Sequence, residues 1–160
     1  MKLLIKRQKV GARASIVSFS MLFTYTLIIL IIDLHISYII LLLSIIALFF
    51  YSYVGFYLQY FKKSRVFDRF LHGYGTFTFT LLVYESIIII ILNGGSKFYQ
   101  ALFVFFLGIA LGSIHEIIEF IADMSQHSQM QKGLRDTNFD MVFNVLGAAA
   151  AAAAAYLFII

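Results

Sequence analysis

Every lysine and arginine except Lys97 falls in one of three clusters, and these clusters alternate with apolar stretches long enough to cross a bilayer. The alternation confines the chain to an architecture in which helices satisfy their own backbone groups, because hydrocarbon offers no hydrogen-bond partner. Composition agrees. With 62% hydrophobic and 12% charged residues, too little polar surface exists to cover a water-soluble globule of 160 residues. We therefore expect an all-α polytopic membrane bundle of about five helices, forming one transmembrane domain over residues 1–160 and residing in the cell membrane.

The expected spans are 15–32, 38–60, 67–92, 98–121 and 137–160, with Asn93-Gly94-Gly95-Ser96 as the turn that ends the third. Tyr and Phe crowd the span ends, as interfacial side chains do. The basic start followed by an apolar run resembles a secretory signal. That run is too long for a signal core, and no small-x-small cleavage site follows before Asp33, so an uncleaved first span is expected. The basic residues flank spans instead of forming a continuous face, which argues against nucleic acid as a partner. The N-terminal cluster, Lys62 to Arg69, and Lys132 with Arg135 fall on one side, and Lys97 falls on the other. The positive-inside rule then gives a cytoplasmic N-terminus and an outer C-terminus. Without Cys, thiolate metal sites, disulfides and Cys nucleophiles are excluded.

The acidic residues and two histidines are the chemically informative part. Asp68 and His72 open the third span, His115, Glu116, Glu119 and Asp123 close the fourth, and Asp136, Asp140 and Asn144 open the fifth. Steps of three and four residues put each set on one helix face. All three stripes lie at the cytoplasmic end, where facing lipid would be costly, so they are expected to face one another or a water-filled vestibule.

Packed carboxylates need their repulsion offset. One solution is a divalent cation on Glu116, Glu119, Asp136 and Asp140, with His72 or His115 as a nitrogen ligand. Another is a set of shared protons, as in a relay. A third is an ion-pair lock with Arg69, Lys132 and Arg135. Asp68 and Asp136 also suit helix N-caps, and Asp123 precedes the polar loop 125–129, so all three have ordinary explanations. Glu116, Glu119 and Asp140 lie inside apolar stretches and have none of that kind.

Three functional classes follow. A cation-dependent enzyme or binding protein would act on a lipid-linked or membrane-proximal anionic substrate, with His72 or His115 as acid or base and Arg69, Arg135 and Asn144 as substrate contacts. A proton- or cation-coupled transporter would use Glu85, about 20 Å along the third span from His72, as a second station, although a protonated carboxyl bonded to Tyr or Ser side chains is the preferred expectation for it. An assembly protein would use the polar residues only to lock helices. Neither a phosphate loop nor a His-Glu-x-x-His motif is present, since the run at 115 reads His-Glu-Ile-Ile-Glu. Asp33 and His35, in the short outer loop, are expected to be solvated.

Two small-residue features bear on packing. Gly108 and Gly112 form a Gly-x-x-x-Gly that draws the fourth span toward the third or fifth. The run from Gly147 to Ala155 offers a close-approach face for the bundle or for a second protomer, or serves as apolar filler.

Phe67-Asp68-Arg69 with His72, then Glu85, Glu116-Ile117-Ile118-Glu119, Gln131 and Asp136-Thr137-Asn138-Phe139-Asp140-Met141 ahead of Gly147-Ala148 resemble the YjdF-like family of small bacterial inner-membrane proteins. Tyr84, Gly133 and Arg135 depart from that pattern, where the family carries Arg, Asp and an aromatic residue. VanZ-like membrane proteins are more distantly similar, through Asp-x-x-x-His with a late Asp, Asn144 and Gly-Ala. The resemblance implies a membrane location for the polar site and assigns it no chemistry.

Overall fold

The computed structural model describes residues 2–32, 36–91, 96–124 and 130–160, and the described chain is helical with no strand. Asp33, His35, the turn residues 93–95 and the loop 125–129 lie outside the described residues. Helix α1 covers Lys2–Ile31, α2 Tyr38–Phe49, α3 Tyr60–Lys63, α4 Arg65–Ile91, α5 Lys97–Met124 and α6 Leu134–Ala154. Two π-helical segments, Phe50–Tyr57 and Ala155–Ile159, extend α2 and α6.

Three described helices are long and apolar enough to span a bilayer: Tyr38–Tyr57, Lys97–Met124 and Leu134–Ile159. The apolar part of α1, Ser15–Ile31, is shorter. Helix α4 has the length, about 40 Å for its 27 residues, but dilutes its apolar character with the Asp68, His72, Thr76, Thr78 and Thr80 series. Large side chains such as Leu30, Phe106, Ile117 and Phe158 are exposed on the outside, as expected where hydrocarbon is the solvent.

Helices α4, α5 and α6 pack on one another as the central group, α2 packs on α4, and α1 leans on α2 and its π-helical extension. Small residues set these distances. A Cβ on Gly108 would lie 2.6 Å from the Ala148 Cβ, and one on Gly112 would lie 2.7 Å from the Asn144 Cβ, so both glycines bring α5 against α6. Gly147 meets the Gly73 carbonyl of α4 on the other side of the same helix. Ala148, Ala151 and Ala155 are fully buried, whereas Ala149, Ala150 and Ala153 are exposed, so the alanine run serves as a packing face on one side only.

The polypeptide alternates direction. Lys132, just before α6, pairs with Asp68 at the start of α4, and the Gln131 side chain donates to the Glu116 carbonyl near the end of α5 at 3.3 Å. At the opposite end, the Tyr84 hydroxyl donates to Gln100 Oε1 at 2.8 Å, and the Ser37 N–H donates to Glu85 Oε2 at 3.0 Å.

The transition after α2 has a local cause. Tyr53 stacks on both Phe49 and Tyr57 with centroids 5.3 Å apart, and Gly55 leaves room for the Phe61 ring where a Cβ would collide. Gln59, at φ 60, then reverses the chain in the left-handed conformation, so α3 folds back toward the start of α4.

Candidate functional site

The caps differ from the sequence expectation. Ser64, not Asp68, closes the start of α4, its Oγ accepting the Phe67 N–H at 3.1 Å. Gly133, at φ 110, precedes α6 in the position expected for Asp136. Asp68 and Asp136 sit in the first turn of their helices, past the capping position, and both are buried. Asp123 is not simply solvated. Its two carboxylate oxygens accept the Met130 and Gln131 N–H groups, each at 2.9 Å, and so tie the chain before α6 to the end of α5.

The remaining polar residues separate into two sets according to whether fixed cations reach them. In the first set, Lys132 Nζ pairs with Asp68 Oδ2 and lies 3.7 Å from Asp136 Oδ2, while Arg69 Nη2 lies 3.9 Å from Asp136 Oδ1. The Arg69 guanidinium is 4.0 Å from the Phe139 ring centroid, which holds its plane against α6. This set forms a nearly balanced ion-pair chain across the starts of α4 and α6.

The second set has no Lys or Arg partner among the described residues. His72 Nδ1 is 3.3 Å from Glu116 Oε1, and His72 Nε2 is 3.9 Å from Asp68 Oδ1. His115 Nε2 is 3.4 Å from Glu119 Oε1, and the two imidazole rings meet edge to face with centroids 5.2 Å apart. Both Glu116 oxygens, Asp140 Oδ1 and His72 Nδ1 are buried without a hydrogen-bond partner. Polar atoms in that state are rare and costly unless something else binds them.

Donor atoms of His72, Glu116 and Asp140 lie within 4.8 Å of one another, as do those of His72, His115 and Glu119. Either trio can converge on a divalent ion, and His72 is common to both. The four-carboxylate set expected from spacing does not assemble as such: Asp136 is turned to Lys132 and Arg69, and Glu119 belongs with His115.

The three candidate substrate contacts are otherwise engaged or remote. Arg69 is in the ion-pair chain, and Arg135 is exposed, 5.9 Å from the Phe139 ring centroid. Asn144, 2% exposed, accepts from Thr76 Oγ1 at 2.8 Å and donates to the Gly112 carbonyl at 3.4 Å, joining α4, α5 and α6 directly beneath the second set. Sequence reasoning missed Thr76, although its place four residues after His72 continues the Asp68–His72 stripe. Glu85 lies outside both sets, bonded to the start of α2.

The arrangement defines a helical membrane protein whose central helices enclose an acidic and histidine-bearing cluster near one end. The chain belongs to the family described as predicted membrane protein (DUF2238), whose model matches residues 4–159. It is also similar to an uncharacterized protein of Thermotoga maritima, at 35% identity over 107 residues, covering 63% of this chain and 53% of that relative. The chain thus spans about half the length of the curated relative it matches. No solved structure matches it.

Proposed function

We propose that the protein holds a divalent cation on His72, Glu116 and Asp140 and uses it to bind or transform an anionic, membrane-proximal substrate. The observation that carries this reading is the concentration of partnerless buried acceptors on Glu116 and Asp140 beside His72, in a cluster whose other acids already have cations or N–H donors. One imidazole with two carboxylates favours a first-row ion such as manganese, iron or zinc over magnesium or calcium. Such an ion would polarise an anionic oxygen as a Lewis acid. His115, whose side chain is 46% exposed and adjoins Glu119, is the acid–base candidate.

The assembly reading applies to the first set, where Asp68, Lys132, Asp136 and Arg69 satisfy one another. The transport reading gains nothing from Glu85, which accepts the Ser37 N–H as a structural bond. On the proposed reading the 160 residues form one transmembrane unit with the clustered bases cytoplasmic, placed within the wider family among the YjdF-like proteins. Any contact with a second protomer falls to the exposed Ala149, Ala150 and Ala153 side of α6.

The test is a thermal shift on chelator-treated, detergent-purified protein. A cation at a hundredfold excess over its dissociation constant adds about 2.7 kcal/mol to a folded state that alone binds it. Manganese or zinc is expected to raise the melting temperature of the wild type and not of the Glu116→Gln/Asp140→Asn variant. An equal response in both overturns the reading.

A further inference from the structure

A cavity of about 610 Å³ runs beside the second set, and its chemistry changes along its length. On α4 it is walled by a single stripe from Asp68 through His72, Gly75 and Phe79 to Val83, a distance of about 22 Å along the helix. The Asp68 end is polar, with Lys62, His72, His115 and Glu119 in its wall. Beyond Thr76 the α4 lining is apolar, with Phe79, Leu82 and Val83 facing a space bounded also by Leu22 and Leu48, and the Tyr25 hydroxyl there is bonded to the Leu82 carbonyl.

We propose that this cavity takes a phosphate-headed amphiphile with one long apolar chain, admitted sideways from the bilayer between α1 and α5. The inference rests on the cation reading above, whose ligand His72 lines the cavity, and names the substrate class for that site.

Three observations support it. First, among the described residues α1 packs mainly on α2 and its π-helical extension and bonds to α4 through Tyr25, and α5 is not among its main neighbours, which leaves the cavity a side opening between α1 and α5. Its rims, Met21 on α1 and Ile114 and Ile118 on α5, are 68%, 52% and 58% exposed while also lining the cavity. A slot rimmed by such side chains admits a hydrocarbon chain and rejects a hydrophilic solute.

Second, Gly75 sits in the middle of α4, where glycine costs up to about 1 kcal/mol relative to alanine. Packing explains Gly108 and Gly112, whose added Cβ atoms would strike α6, but a Cβ on Gly75 would meet nothing within 4 Å. The glycine leaves the lining free of a side chain where the polar and apolar parts meet.

Third, the polar end is suited to an anion. His115 and Lys62 line it, and His72, which on the cation reading gives its Nδ1 to the ion, lines it beside them. Lys62 reaches the neutral Gln59 side chain at 3.2 Å, with no carboxylate paired to it among the described residues. With the proposed cation, these groups match the several acceptor oxygens of a phosphate.

The test uses detergent-purified full-length chain, stripped of lipid, incubated with dodecyl phosphate and read by native mass spectrometry alongside metal analysis. Wild type and Gly75→Ala are expected to retain dodecyl phosphate in preference to dodecanol, and Gly75→Leu to weaken retention about tenfold or more with its metal content unchanged. Gly75→Val is read in the same way should the leucine variant fail to fold. Equal retention by wild type and Gly75→Leu overturns the inference, as does equal retention of dodecanol or full displacement by equimolar inorganic phosphate. Retention of dodecyl phosphate by protein that carries no metal would overturn the cation reading and leave the amphiphile assignment supported.

Discussion

His72 Nδ1 and Glu116 Oε1 lie 3.3 Å apart in the buried contact between α4 and α5, yet neither atom makes a hydrogen bond. On the proposed reading both atoms are ligands aimed at a common third point. The Asp140 carboxylate, on α6, has its own partnerless oxygen and completes a trio spanning all three central helices. A cation there would join α4, α5 and α6 as well as supply chemistry, so stability and function are coupled at this position.

The two sets of acids should respond oppositely to neutralisation. Asp136→Asn leaves Arg69 without its carboxylate and Lys132 with Asp68 alone, and is expected to destabilise chelator-treated protein by about 2 kcal/mol. Asp140→Asn removes an uncompensated carboxylate and is expected to be neutral or stabilising under the same conditions. Unfolding of both variants in one detergent checks this, and equal losses would refute the division.

Gly112→Ala is expected to cost about 1–3 kcal/mol, because its Cβ would fall 2.7 Å from the Asn144 Cβ and neither helix backbone can yield freely. Gly75→Ala, with open space around its new methyl, is expected to stabilise by about 0.5–1 kcal/mol. Melting temperatures of the two variants should therefore move in opposite directions.

Glu85→Gln keeps a side-chain oxygen able to accept the Ser37 N–H and should preserve stability, whereas Glu85→Leu should lose about 1–2 kcal/mol. Liposome flux measurements provide the contrasting readout: flux in the wild type that Glu85→Gln abolishes would favour transport over a cation site at His72, Glu116 and Asp140.

The all-helical membrane class was legible because hydropathy alone decides it, and the polar stripes were legible because Asp136, Asp140 and Asn144 recur every four residues and all prove buried. The partnership of each acid was not. Which carboxylate meets Lys132 depends on the angle at which the chain enters α6, and that angle is set by Gly133 and by Asp123 holding the Met130 and Gln131 N–H groups. Glu85 found a backbone donor 48 residues away, which no spacing along one helix can indicate. The π-helical stretch at Phe50–Tyr57 accompanies Phe61 folding over Gly55, a contact made only once α3 has turned back. Spacing thus located the cluster, while tertiary contacts divided it.

The central claim is that His72, Glu116 and Asp140 hold a divalent cation, and elemental analysis of protein purified without chelator tests it most directly. Stoichiometric metal is expected in the wild type and in Asp123→Asn, whose carboxylate serves the loop, and its loss is expected in Glu116→Gln/Asp140→Asn. Wild-type protein without stoichiometric metal, or metal retained unchanged in the double variant, would contradict the claim.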